Sequence, residues 1–115
     1  SGNYQMTNQE AFDKVKAHLL LQNSRALYKN HGCRYKDQDG KKCAVGCLIP
    51  DELYEDRFEG LGVMELLRKS TNLRALFDGL DVIFLMDLQI VHDTKDPKDW
   101  PECLNHLATV YGLNP

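Results

Sequence analysis

The sequence has no apolar run long enough to cross a membrane. Its longest stretch of consecutive large apolar residues, Val82–Met86, is far shorter than the roughly 20 residues that a transmembrane helix needs. Internal repeats, low-complexity segments and a secretory signal peptide are also lacking. We therefore expect a soluble protein of the cytoplasm that makes no contact with membranes.

The sequence lacks an oxidising context for its cysteines, and its overall charge is weak. The chain has four cysteines, and without an export signal we expect reduced thiols rather than disulfides. The net charge of −3 argues against a general nucleic-acid binder. Apolar residues make up 43% of the chain and charged residues 27%, which excludes a disordered protein and is typical of a globular one.

The length indicates one domain. A chain of 115 residues is close to the common size of a single domain and can bury one core without disulfides. Residues 1–5 resemble the remnant of a purification tag, and Met6 reads as the native start. We therefore predict a single domain over residues 6–115.

Local patterns predict helices at both ends of the chain. Thr7 and Glu10 have the spacing of a capping box, and apolar residues follow at helical intervals over 8–22. Near the other end, Asp99-Trp100-Pro101-Glu102 has the same spacing with an early proline, and Gly112 is placed to end the helix. Two short helices are predicted over 63–69 and 71–77.

The middle of the sequence predicts the rest of the fold. Leu80–Asp93 is apolar on almost all sides, which is typical of a helix buried at the centre of a domain. Asp39-Gly40 supplies the positive φ of a tight reversal, and its flanks predict a short β-hairpin over residues 33 to 45. The predicted fold class is therefore α+β: a compact, mainly helical single domain of four to six helices around the Leu80–Asp93 helix, with one hairpin.

Three stretches carry a resemblance to known proteins. They are Asp39–Glu52, which contains a Cys-Ala-Val-Gly-Cys-Leu-Ile-Pro-Asp-Glu motif, Leu88–Asp93, and Trp100 to Leu113. The chain resembles a group of small uncharacterised proteins of tailed phages, prophages and their bacterial hosts. The resemblance implies an origin, and with it the cytoplasm of a host cell, but no chemistry and no site residue.

One candidate site is a metal centre. His31, Cys33, Cys43 and Cys47 place four nitrogen and sulfur ligands within 17 residues, and zinc favours such sets. Cys103 and His106 are an alternative pair that would complete a site with Cys33 and Cys43. The spacing is not that of a standard zinc knuckle, so the opposing interpretation is that the cysteines fill the core. We expect no cofactor, with zinc as the exception to test.

A second candidate is a thiol nucleophile. Cys43 or Cys47 near a helix start would have a lowered pKa, and His92 would act as its base. Asp87 or Asp93 would orient His92, although Asp93 lies about 100° around the helix and is expected to be a poor partner. Gly46 would offer a bare backbone N–H to an oxyanion. The opposing interpretation makes His92 a hydrogen-bonded core residue.

The third candidate is a charged binding surface. Residues 25–42 hold six lysines and arginines against two aspartates, a net +4, which leaves −7 on the rest of the chain. Its partner-binding residues are predicted to be Arg34, Tyr35, Lys36, Lys41 and Lys42, a mixture of cations and an aromatic that suits phosphates or an acidic protein. The acidic remainder of the chain would serve equally well as their partner, and the opposing interpretation is that the charges are only solvated. A separate acidic cluster would mimic a nucleic acid or bind a basic partner: Asp51, Glu52, Glu55, Asp56 and Glu59.

These observations favour a non-catalytic, phage-type accessory protein that binds a host or viral macromolecule. A protein is the first choice of partner, and a nucleic acid bound through the basic hairpin is the second. Two alternatives remain open: a cysteine-dependent enzyme that uses Cys43 or Cys47 with His92, and a small zinc-stabilised binding module.

Overall fold

The computed structural model describes residues 5–27 and 32–115, and within them it has five α-helices. Helix α1 spans Asn8–Gln22, and the predicted capping box is confirmed. The Thr7 hydroxyl accepts from Glu10 N at 3.1 Å, and Thr7 N donates to the Glu10 carboxylate at 2.9 Å. Asn23 ends the helix in the left-handed conformation, with φ of 50°.

The remaining helices follow after a long irregular stretch. Their bounds are α2 Val63–Lys69, α3 Thr71–Leu76, α4 Val82–Thr94 and α5 Trp100–Val110. Ser70 ends α2 and also begins α3, because its hydroxyl accepts from Leu73 N at 3.2 Å. Short 3-10 turns at Gly46–Leu48, Asp51–Leu53, Asp56–Phe58 and Pro97–Asp99 complete the helical structure.

The core lies where α1, α4 and α5 meet the Gly46–Leu48 turn. Each of these elements contributes fully buried side chains, and burial of such apolar surface drives folding. The largest of them include Phe12, Leu19, Leu48, Phe84, Leu85, Leu88, Trp100 and Leu104. No helix in the described ranges combines the length and apolar character that a membrane crossing requires.

Helix α4 contributes one broad face to this core rather than its whole circumference. Phe84, Leu88 and Val91 on that face are buried. The opposite side is open, with 53% of Ile83 and 50% of Ile90 exposed. The apolar content of Leu80–Asp93 therefore exceeds what the neighbouring elements cover.

The predicted α+β class is wrong, because residues 33 to 45 form no hairpin strands. Residues 5–27 and 32–115 contain no strand or sheet, only two isolated antiparallel bridges, Leu27 with Cys33 and Lys36 with Lys42. The reversal itself exists, since Gly40 has the expected positive φ of 82°. The turn was predicted correctly, but the ladder beyond it does not form.

The next rung of the ladder would join Tyr35 N to Cys43 O, but both groups are used elsewhere, since Cys43 O accepts from Cys47 N at 3.0 Å. Side chains also occupy the outer edge of the hairpin. The Gln22 amide accepts from Lys42 N at 2.9 Å and donates to Lys42 O at 2.9 Å, as a neighbouring strand would. The Glu59 carboxylate accepts from Tyr35 N at 2.9 Å and Lys36 N at 3.1 Å. Because these backbone groups already have hydrogen-bond partners, they are not available to extend the segment into a sheet.

Gly46 lets this irregular segment pack closely on itself. A Cβ at this position would lie 1.9 Å from the backbone oxygen of Tyr35. Cys43 N also donates to Tyr35 O, at 3.3 Å, so the two stretches touch through their main chains. A glycine is therefore required in the middle of the Cys43–Cys47 segment.

Candidate functional site

The predicted partner-binding cations lie against the acidic segment of the same chain. Lys42 Nζ is 2.9 Å and Lys36 Nζ 3.6 Å from the Asp51 carboxylate. The hydrogen bond from Lys42, with the charges of both lysines, lowers the pKa of Asp51. Lys36 Nζ also lies 5.5 Å from the ring centre of Tyr54. One carboxylate thus compensates part of the charge of these two lysines within the fold.

The other predicted binding residues are also engaged. Tyr35 is 6% exposed, and its hydroxyl donates to Leu61 O at 2.6 Å, so its ring is not presented for stacking. Arg34 Nε donates to Lys36 O at 3.0 Å and lies 3.7 Å from the Glu59 carboxylate. Lys41 is partly exposed at the turn, where its backbone N–H donates to the Asp37 carboxylate at 2.9 Å.

The thiols proposed as nucleophiles are held in their protonated form. Cys43 is fully buried, and burial raises its pKa although Gly46 N donates to its sulfur at 3.2 Å. Burial raises the pKa of Cys47 to about 12, and its thiol donates to Ala44 O at 3.1 Å. All four cysteines are free of disulfides. A nucleophilic cysteine requires the opposite shift, toward the thiolate.

His92 has both ring nitrogens engaged in the protein interior. It is fully buried, its Nε2 accepts from Ala26 N at 3.1 Å, and its Nδ1 lies 2.8 Å from the Asp93 carboxylate. A neutral imidazole has one donor and one acceptor. Because Nε2 is the acceptor, Nδ1 carries the proton and donates a hydrogen bond to the Asp93 carboxylate. No lone pair of His92 is left to accept a thiol proton. Asp93, expected to be a poor partner, is the one that His92 has.

Cys33 joins this pair to form a cluster that the sequence did not indicate. The ligand atoms of Cys33, His92 and Asp93 lie within 4.8 Å of one another. Burial, then the neighbouring Asp93 carboxylate, raises the pKa of Cys33 to about 11. A cavity of about 260 Å³ opens beside Cys33 and Asp93. Sequence reasoning had assigned Cys33 and His92 to different sites, and no spacing rule relates them.

The hydrogen bonds of this cluster oppose metal binding. A metal on Nδ1 of a neutral His92 would move the ring proton to Nε2. Nε2–H would then face the N–H of Ala26, so two donors would meet across 3.1 Å. The residues fit a hydrogen-bond network better than a zinc site.

The metal-ligating sets predicted from sequence are not gathered among the described residues. In the part of the chain that the structure describes, no group of three other than Cys33, His92 and Asp93 has its ligand atoms so close together. Cys43, Cys47, Cys103 and His106 are therefore not gathered around Cys33. His31 lies outside the described residues.

The network around His92 connects the end of α4 to two distant segments. Gln89 donates to the Asp93 carboxylate at 3.0 Å and accepts from Val45 N at 3.0 Å. Arg25 Nε donates to His92 O at 3.0 Å, and its terminal nitrogen donates to Lys95 O. Every buried side-chain polar atom in the described residues has a partner. The arrangement stabilises the fold rather than presenting reactive groups.

A different surface is open and apolar. Helices α4 and α5 enclose a groove of about 710 Å³, here called the α4–α5 groove. Val91 and Leu107 line it, and Ile90 and Val110 at its edges are 50% and 61% exposed. Large apolar side chains that remain half exposed beside a groove mark interaction sites more often than isolated ones do.

Polar groups surround this apolar lining. Asp87, Asp99 and Glu102 contribute carboxylates, and Lys95 contributes one ammonium group. Cys103 and His106, considered above as metal ligands, also line the groove. Sequence reasoning missed the site because Ile90 belongs to an apolar stretch that was expected to be buried.

No protein-family model, curated protein or solved structure matches this chain.

Proposed function

We propose that the protein is a non-catalytic, phage-type accessory protein that acts in the host cytoplasm and binds a partner protein through the α4–α5 groove. The observation that carries the proposal is the pair of half-exposed apolar side chains, Ile90 and Val110, at the edges of that groove. Leaving such groups in water is unfavourable, and a partner that covers them gains their burial.

The state of the polar groups supports the non-catalytic part of the proposal. Burial raises the pKa of Cys43 and Cys47, and His92 uses both nitrogens within the fold. An enzyme of the cysteine–histidine type needs a thiol that can lose its proton to the imidazole. These residues have neither the ionisation nor the free nitrogen for that step.

The internal charge pairing supports a protein rather than a nucleic acid as the partner. Binding to a nucleic acid depends on protein cations that displace salt ions from its phosphates. Lys36 and Lys42 already lie beside Asp51, and Arg34 lies beside Glu59. Phosphates would have to compete with these carboxylates.

Capture from a bacterial lysate tests this function. We compare the immobilised wild-type chain with Ile90→Asn and Val110→Asn, and with Leu21→Asn as the matched control. Leu21 is 89% exposed on α1 and does not line the groove. We expect the wild type and the control to retain the same protein after nuclease treatment, and both groove variants to lose it.

Two results would contradict the proposal. One is a retained protein that survives both groove substitutions while circular dichroism shows folded variants. The other is retention that disappears when nucleic acid is digested.

A further inference from the structure

We propose that the occupant of the α4–α5 groove is an amphipathic α-helix with basic residues beside its apolar face. This inference rests on the proposed function and names the chemistry of the partner. The shape and the charge of the groove support it. The internal pairing of the chain's own cations supports it as well.

The shape of the groove matches a helix. Ile90 and Val91 come from α4, and Leu107 and Val110 come from α5, so two packed helices line the groove over successive turns. An amphipathic helix fills such a groove with side chains at positions i, i+3 or i+4, and i+7. The 11 residues of α5 extend about 16 Å, which corresponds to about three turns of a partner helix.

The charge of the groove selects a basic partner. Three carboxylates, on Asp87, Asp99 and Glu102, face one ammonium group on Lys95. Neither Asp99 nor Glu102 takes part in an ion pair within residues 5–27 and 32–115. Asp87 accepts a hydrogen bond from the hydroxyl of Tyr111. Complementary charges at the edge of an interface give specificity and faster association more than affinity.

A second copy of this chain is a poor match for the same groove. The chain has a net charge of −3, so two copies repel each other. Its cationic segment already pairs through Lys36 and Lys42 with Asp51, and through Arg34 with Glu59. The net charge and this pairing favour another protein as the source of the basic flank.

Synthetic helices provide the probe for this proposal. The first is a fluorescein-labelled peptide of about 14 residues, with leucines at i, i+3, i+4 and i+7 and lysines beside them. The second has the same leucines with glutamate in place of every lysine. Fluorescence anisotropy with the full chain measures both affinities at two salt concentrations.

We expect the lysine peptide to bind at least about tenfold more tightly than the glutamate peptide, and this preference to shrink at high salt. Ile90→Asn and Val110→Asn are expected to weaken binding by about tenfold, whereas Leu21→Asn leaves it unchanged. The double variant Asp99→Asn with Glu102→Gln is expected to lower the preference for lysine while the glutamate peptide binds no worse.

Equal binding of the two peptides, or binding unaffected by Ile90→Asn, would overturn the proposal. So would a dimer in analytical ultracentrifugation that Ile90→Asn converts to a monomer, because a second copy would then occupy the groove. If lysate capture depends on Ile90 but neither peptide binds, the helical partner is wrong and the proposed function stands. If capture does not depend on the groove, the proposed function itself is wrong.

Discussion

The imidazole of His92 stacks on the indole of Trp100, with 5.6 Å between the ring centres and 23° between the ring planes. Trp100 is itself fixed, because it is fully buried and its Nε1 donates to Val91 O at 3.1 Å. The stack sets the plane in which the nitrogens of His92 meet Ala26 and Asp93. The ring is therefore held by packing on its face and by hydrogen bonds at its edge.

Replacing His92 by leucine tests whether this ring has a structural role. The substitution leaves Ala26 N without its acceptor inside the protein and removes the hydrogen bond to Asp93. We expect a loss of about 3 kcal/mol in the free energy of unfolding, measured by urea denaturation. His106→Leu on the exposed side of α5 is the control and should change it by less than about 0.5 kcal/mol.

A metal role for His92 would give a different pattern. A chelator should leave the melting temperature of the wild type unchanged, because the stabilising partners of the ring are protein groups. If chelation lowers the wild-type melting temperature and has no effect on His92→Leu, the cluster of Cys33, His92 and Asp93 binds a metal.

Glu59→Gln tests the side chain that replaces a strand partner. The Glu59 carboxylate accepts from Tyr35 N, Lys36 N and the Tyr54 hydroxyl, the last at 2.7 Å. An amide has only one acceptor oxygen, so its NH₂ group would face a backbone N–H. We expect a loss of about 2 kcal/mol in the free energy of unfolding. The slope of that free energy against urea concentration, the m value, should not change.

The matched control is Glu55→Gln. Glu55 pairs with Arg57 at 2.8 Å, but both side chains are about half exposed, 52% and 51%. Such a surface pair contributes little, so the control should leave the free energy of unfolding nearly unchanged. Equal effects of the two substitutions would mean that Glu59 does not hold the backbone of residues 35 and 36.

The pH dependence of thiol alkylation tests the nucleophile hypothesis. Raised pKa values, about 11 for Cys33 and about 12 for Cys47, reduce the thiolate at neutral pH below that of an ordinary thiol with a pKa of 9.0. We expect iodoacetamide at pH 8 to modify both at least about tenfold more slowly than a cysteine in a short peptide. The rates should rise through pH 10 without levelling off. Peptide mapping by mass spectrometry measures each site.

Urea-unfolded protein provides the control, since all four thiols should then react at the rate of the peptide. If Cys43 or Cys47 in the native protein reacts faster than the peptide at pH 7, the cysteine-dependent enzyme becomes the better interpretation.

The same pKa shifts predict how the free energy of unfolding depends on pH. The contribution of these thiols is fully present below about pH 9 and is lost as the pH rises further. Unfolded thiols release their protons first, and alkali therefore favours the unfolded state.

The helices were predictable because their signals are local. The capping box at Thr7 and Glu10 and the proline at the start of α5 lie within one turn of the boundaries they define. The reversal at Gly40 was predictable for the same reason. The hairpin was wrong because Glu59, 24 residues away in sequence, takes Tyr35 N, and the turn at Cys47 takes Cys43 O, so the next rung of the ladder does not form.

The candidate site was less predictable than the fold. Cys33 and His92 are brought together by packing, and a single sequence has no periodicity that relates positions so far apart. The exposure of Ile90 was also hidden, since apolar content predicts that a helix is buried but not how many of its sides are covered. The groove exists because α5 packs against one side of α4, while the described residues leave half of the Ile90 side chain uncovered.

The attachment of Arg25 and Ala26 to the end of α4 constrains how the protein can be synthesised. Arg25 bonds to a backbone oxygen 67 residues later, and Ala26 to a ring 66 residues later. Translation at about 5–20 residues per second separates these partners by about 3 to 13 s. During that interval α1 has been synthesised, whereas α4 is incomplete and α5, which also packs against α1, is absent. The nascent chain therefore closes its core only when the last two helices emerge.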